Sequence, residues 1–176
     1  VVGDQLRFYY IGFKGGDPSS YMHSNGATGM AILRRDGFAS MSTTGEGSLT
    51  TRPVTFTGKY LFVNVDCPSG ELKVEILDKN NKVIDDLSAD KCKAVSIDST
   101  IQQIEWNGSS DLSSLVGQEV KFRFKLKNGD LYAFWVSPST NGESNGYVAG
   151  GGPGYISNKD TEGKKAYEQA SGLQKF

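Results

Sequence analysis

An arginine doublet, a single histidine, scattered carboxylates and a few large aromatics are the residues of this chain with chemistry to offer. The doublet lies in AILRRDGFASM, residues 31–41, where an apolar run ends in Arg34-Arg35 and meets Asp36-Gly37. A guanidinium can fork onto a carboxylate or a sugar hydroxyl. The simpler reading is a strand end: Asp-Gly forms the turn, the arginines pair with nearby acids, and Phe38 enters the next core. His23 stands beside Tyr21 in SSYMHSNG, a loop where either side chain is placed to touch a bound ligand or to face solvent. No G-x-S-x-G elbow is present, so His23 has no serine triad to join. Asp85-Asp86 are adjacent; on a strand they face opposite sides and cannot flank one bond. Asp78 belongs to a solvated hairpin.

Trp106, Trp135, Tyr132 and Phe134 are the aromatic candidates for stacking on a ligand ring, with core packing as the plainer role. Trp135 and Phe134 must point to opposite faces of one strand. Asn107-Gly108-Ser109 matches the N-x-S glycan-acceptor pattern. Cys67 and Cys92 would close a loop of roughly 25 residues, and a disulfide there would contribute about 3 kcal/mol in a secreted protein. Two buried free thiols are the other arrangement these positions permit. Two cysteines with one histidine do not make a zinc site, the aspartates lack EF-hand spacing, and AGGGPG at 149–154 lacks the spacing of a phosphate cradle. No metal and no cofactor is expected.

The elements that must position these residues read as strands. The chain has 176 residues, 22 of them glycine, and a net charge of -1. It is large enough for one core, too neutral to grip nucleic acid or an anionic membrane, and without an apolar run of the ~20 residues that span a bilayer. QLRFYYIGF (5–13) and TGMAILRR (28–35) predict a hairpin with a long polar tip. LTTRPVTF (49–56), KYLFVNVD (59–66), ELKVEILD (71–78) and QQIEW (102–106) follow as short strands, with a turn at DKNNKV. EVKFRFKLK (119–127) alternates Val120, Phe122, Phe124 and Leu126 with charged residues, which predicts a half-buried strand with one wet basic face. Asn128-Gly129-Asp130 predicts a turn back into LYAFWVS. SSDLSSLVG predicts a helical turn capped by Ser109 or Ser110 and stopped by Gly117, and EGKKAYEQASGL a short C-terminal helix. The expected class is all-β, an antiparallel β-sandwich.

LRRDGFASM, GSLTTRPVTFTGKYLFVNVD, GELKVEILD, DSTIQQIEWNG, DLSSLVGQEVKFRFKLKNGDLYAFWVS and GYVAGGGPGY together cover most of residues 33–155. In combination they resemble glycoside-hydrolase-like proteins that place a five-bladed β-propeller before a C-terminal β-sandwich. The resemblance implies that residues 1–37 are the last-blade hairpin and its linker turn, 38–140 the sandwich, and 141–176 a Gly-rich tail. It carries no catalytic residue into this chain, because the carboxylates of such enzymes sit mostly on early blades. If the parent is an enzyme, it is a glycoside hydrolase. The partner it implies is the remaining propeller, on another chain or a cleaved half, in a secreted protein. A glycan is the ligand for which Tyr21, His23, Arg34, Trp106 and Trp135 are the candidate contacts. Val1-Val2-Gly3-Asp4 opens straight into strand-like sequence, so the expectation is a removed leader or a longer parent chain. A free-standing carbohydrate-binding module and an extracellular structural or interaction protein are the alternatives. A single hairpin cannot close a propeller and is marginal alone, so its apolar side needs neighbours from elsewhere.

Overall fold

A computed structural model describes residues 1–15, 25–148 and 150–171. The protein is all-β. Strands β1 (Gln5–Phe13) and β2 (Gly26–Arg34) pair as an antiparallel hairpin in register Gln5↔Arg34 to Phe13↔Gly26. A second, five-stranded antiparallel sheet holds β3 (Met41–Thr50), β4 (Tyr60–Asp66), β5 (Glu71–Leu77), β6 (Asp98–Gln103) and β7 (Lys121–Ser137).

β7 organises the sandwich. The turn expected at Asn128-Gly129-Asp130 is not made; the chain runs on as one strand of 17 residues, kinked where Asn128 takes a φ of 44°. The glycine serves a close approach instead. A Cβ on Gly129 would lie 2.6 Å from the Asp66 carbonyl oxygen, and one on Gly70 would lie 1.9 Å from the Lys127 oxygen. The short β4–β5 connection therefore passes tightly against the kink. On one side of it β5 pairs with Lys121–Lys127; on the other β4 pairs with Asp130–Ser137. One strand thus crosses both layers, and β4 and β5 face each other without pairing.

The alternation read from the sequence sets the core. Leu61, Val63 and Val65 of β4 meet Leu72, Val74 and Ile76 of β5 and Phe122, Phe124 and Leu126 of β7. Each such buried side chain contributes about 1.5–3 kcal/mol. A bulge skips Tyr132, since Asn64 pairs with Ala133 while Val65 pairs with Leu131. Beyond it Phe134 turns into the core, with ring centroids 5.0 Å from Phe124 and 5.6 Å from Phe122. Trp135 faces the other way.

Elsewhere the boundaries shift. β3 starts at Met41, hidden in the polar run MSTTGEGSLT, and beyond Thr50 only Val54 bridges to Val120. β6 begins at Asp98 rather than residue 102. The turn at Ser113–Leu115 is 3-10, and the carboxylate of Asp111, not Ser109 or Ser110, accepts the Ser113 N–H at 2.7 Å. Gly117 stops it at a φ of 75°. The hairpin turn at Asp78–Lys82 forms as expected, with the Asp78 carboxylate accepting the N–H groups of Asn80 and Lys82.

The expected disulfide does not form: Cys67 and Cys92 are free and buried. Their sulfurs serve different backbone groups. The Cys67 thiol donates to the Val95 carbonyl and the Cys92 sulfur accepts the Val74 N–H, each at 3.3 Å. Burial pushes both thiols above their ordinary pKa.

Residues past β7 form a third layer. Gly142 packs on Phe62 and Ile101, the Lys164 ammonium lies 5.3 Å over the Phe62 ring, and Tyr167 hydrogen-bonds Thr100. This layer ends in α1 (Lys164–Ala170) and returns to the start of the hairpin, where the Val1 amine donates to the Gly151 carbonyl.

Candidate docking hairpin and its arginine clamps

β1 carries β-formers with little alternation, so both faces of the hairpin hold large apolar side chains. Cross-strand partners share a face. One face presents Tyr9, Ile11, Phe13, Met30 and Ile32, with Gln5, Arg7 and Arg34 toward its base and Thr28 beside Ile11; the other presents Leu6, Phe8, Tyr10, Ala31 and Leu33. The Tyr10 ring lies on Gly29, where a Cβ would sit 2.4 Å from it, and the Phe13 ring covers Gly26 in the same way. Among the described residues little else covers the large side chains of the hairpin. Tyr9 is 71% exposed and Ile11 65%, and Phe8, Tyr10, Met30 and Ile32 are all exposed. Phe38, 76% exposed, extends the patch edge-on to Phe8 at 6.4 Å. Large contiguous apolar patches of this kind mark interaction surfaces.

At the other end the hairpin is fixed to the sandwich by Arg34 and Arg35. The Arg34 guanidinium donates to Asn64 Oδ1 at 2.7 Å, to the Val65 carbonyl at 3.0 Å and to the Asp98 carboxylate, and it lies 4.7 Å over the Tyr132 ring. That is the ring the bulge in β7 releases from the core. Arg35 runs into the third layer. It donates to Asp160 Oδ2 at 2.7 Å and sits between the rings of Tyr155 and Tyr167, 5.5 and 5.2 Å from their centroids. Asn64 ties the two clamps together by donating from Nδ2 to the Arg35 carbonyl at 2.6 Å. Burial alone would lower the Arg35 pKa; Tyr167, Tyr155 and Asp160 more than offset it, so the guanidinium is held charged. Asp36 takes a φ of 52° in the turn with Gly37.

The doublet is therefore a joint: Arg35 is buried, and the half-buried Arg34 spends its guanidinium on Asn64, Val65 and Asp98. Trp106 is 2% exposed and donates to the Val74 carbonyl at 3.0 Å, so it is a core residue. Trp135 stacks on Phe62 at 5.7 Å and donates to the Gly142 carbonyl, which fixes it beneath the third layer. Trp106 offers no platform for a sugar ring, and Trp135 is half-buried with one ring face against Phe62. Asn107 is exposed in a turn where Gly108 has a φ of 101°. Tyr21 and His23 lie outside the described residues. Among the described residues no cluster of His, Cys, Asp and Glu could hold a metal ion, and no helix is long and apolar enough to cross a membrane.

Sequence reasoning missed the partners of the doublet. Asn64, Tyr155, Asp160 and Tyr167 lie 29 to 132 positions away along the chain, with no local pattern to announce them. No protein-family model, curated protein or solved structure matches this chain. What the geometry offers chemically is a rigid joint below an adhesive, two-faced hairpin.

Proposed function

We propose that this chain is the non-catalytic sandwich portion of a secreted glycoside-hydrolase-like protein. Its hairpin serves as the last-blade strands of a propeller supplied by polypeptide outside this sequence. One observation carries the reading: both faces of β1–β2 carry exposed large apolar side chains, while the base is locked to the sandwich by buried polar contacts. A strand pair with two apolar faces fits between other sheets, as a blade lies between its neighbours, and does not fit a solvent-facing loop. The sequence blocks that resemble propeller–sandwich proteins supply the identity of the partner. The work of the module in this reading is to close and stiffen the propeller.

Native mass spectrometry of the protein isolated from its source tests this. The expected result is a propeller of further blades, in the same polypeptide or held by it through dissociation-resistant association. A soluble native monomer of these 176 residues with no companion overturns it. The free-standing carbohydrate-binding alternative has Trp106 in the core and is left with the half-buried Trp135, one face of which lies against Phe62.

A further inference from the structure

Five asparagines of this chain precede a glycine: Asn25, Asn107, Asn128, Asn141 and Asn145. Such a pair carries its own reactive chemistry. The backbone nitrogen of the glycine can close on the asparagine Cγ, because no Cβ crowds the approach. Closure needs a free N–H on the glycine, a carboxamide that can turn toward it, and room for the peptide between them to rotate. The five pairs are alike in sequence, so the fold decides between them.

Four of them are held. Asn141 donates from Nδ2 to the Glu162 carbonyl at 2.6 Å and accepts the Lys164 N–H on its own carbonyl at 2.8 Å, while the Gly142 N–H donates to the Ser139 carbonyl. The Asn145 N–H donates to the Asp160 carbonyl at 2.9 Å, and the Gly146 N–H to Ser144 Oγ at 3.1 Å. Gly129 lies within β7 opposite Thr43, where a Cβ would meet the Asp66 carbonyl oxygen and the Cys67 side chain at 2.6 Å, so the Asn128–Gly129 peptide has no room to turn. Gly26 lies under the Phe13 ring, and the Asn25 carbonyl accepts the Lys14 N–H.

Asn107 differs. With Gly108 and Ser109 it is exposed, in a turn between the core residues Trp106 and Leu112. Its N–H donates to the Lys91 carbonyl at 2.8 Å, which anchors the chain just before the bonds that must move. Past that point the constraints end. Among the described residues neither the Asn107 carboxamide nor the Gly108 N–H has a hydrogen-bond partner, and nothing lies within 4 Å of where a Gly108 Cβ would stand.

We propose that Asn107 is the site at which this protein deamidates, with Gly108 as the attacking residue. Solvent base takes the Gly108 N–H proton, the nitrogen bonds to Asn107 Cγ, and Nδ2 leaves as ammonia, which closes a succinimide ring. Water then opens the ring at Cγ to give aspartate, or at the main-chain carbonyl to give isoaspartate. The sum is amide plus water to acid plus ammonia. The product brings a negative charge to the turn, and the isoaspartate form adds a methylene to the main chain. Conversion also removes the N-x-S acceptor, and a glycan on Nδ2 would in turn occupy the leaving nitrogen. Glycosylation and deamidation are thus exclusive fates of one amide. This chemistry does not depend on what covers the hairpin.

The test is a peptide map of the intact chain, made without glycosylation and incubated at neutral and mildly alkaline pH, both folded and in urea. Aspartate and isoaspartate are scored at all five asparagines. In the folded protein Asn107 is expected to convert first. It should lead Asn141 and Asn145 by at least about tenfold, since the hydrogen bonds that must open there slow ring closure by that factor, and it should lead Asn25 and Asn128 as well. Its rate should rise with pH, because base removes the Gly108 proton. In urea the five should convert at comparable rates. An earlier conversion at any of the other four in the folded protein, or no conversion at Asn107, overturns the proposal. So does a lead for Asn107 that persists unchanged in urea, which would place the cause in local sequence rather than in the fold.

Discussion

Arg35 and Asp160 form an ion pair at 2.7 Å across 125 residues of chain, with 9% and 2% of their side chains exposed. The pair joins the base of the hairpin to the third layer. Because it is dry, removing one partner costs more than the pair contributes, since the other charge is left buried. Asp160→Ala is therefore expected to lose about 3–4 kcal/mol of unfolding free energy. Urea denaturation measures this. The double variant Arg35→Met/Asp160→Ala is expected to recover the part of the loss due to the stranded charge, while the N–H groups of Glu162 and Gly163 still lose their Asp160 acceptor.

Asn64 predicts a more local failure. Its carboxamide is 1% exposed, accepts from Arg34 and donates to the Arg35 carbonyl. Asn64→Ala strands that carbonyl and is expected to cost about 2 kcal/mol. The hairpin base should loosen before the sandwich unfolds. Trypsin, which cleaves after arginine, should cut after Arg34 or Arg35 faster in the variant than in the wild type under native conditions. An unchanged cleavage rate contradicts the joint.

The core was legible because it is periodic. Phe122, Phe124 and Leu126, and Leu61, Val63 and Val65, point inward as their alternation requires. An apolar side of the hairpin was open to reading in the β-formers of QLRFYYIGF; that exposed apolar side chains stand on both faces comes from the register. What failed was local turn chemistry read without context. Asn128-Gly129-Asp130 has the composition of a hairpin, yet Gly129 is needed for its missing Cβ beside Asp66 and Cys67, and the strand continues. Cys67 and Cys92 were spaced like a disulfide, but spacing does not say which backbone group each sulfur meets. The joint was invisible because its partners are single polar residues far apart in sequence.

The free thiols give a direct chemical check. Both sulfurs are buried and burial holds both thiols protonated at neutral pH. A bulky disulfide reagent should modify neither cysteine in the native protein and two per chain in denaturant. A native mass that falls short of two free thiols, or immediate modification of either, contradicts the arrangement.

Stability should fall at both ends of the pH scale, by different groups. Burial would raise the pKa of Glu75, but hydrogen bonds from Lys125 and Arg123 outweigh it and the carboxyl titrates below its ordinary 4.5. Its contribution is thus complete above that value and lost as pH falls through the depressed one. On the alkaline side burial raises Cys67, Cys92, Tyr155 and Tyr167. Their contribution is complete below the ordinary values, 9.0 for the thiols and 10.0 for the phenols, and declines above them. Glu75→Gln is expected to cost about 1–2 kcal/mol at pH 7 and to flatten the acid limb of a stability–pH profile while leaving the alkaline limb in place.

The hairpin separates docking from folding. Tyr9 and Ile11 share one exposed face and take no part in the sandwich core. Tyr9→Ser/Ile11→Ser should therefore leave the unfolding free energy of the isolated chain within about 0.5 kcal/mol, lower its tendency to self-associate, and abolish assembly with a propeller-bearing partner. Gly29→Val attacks the same element from within. Its side chain would meet the Tyr10 ring at 2.4 Å, displacing the ring from the opposite face. Assembly should fail here too, although the face bearing Tyr9 and Ile11 is untouched, because a strand pair seated between two sheets needs both of its surfaces. Retained assembly in Gly29→Val with loss in the double serine variant would show that only one face is covered, and the blade-like seating would be wrong.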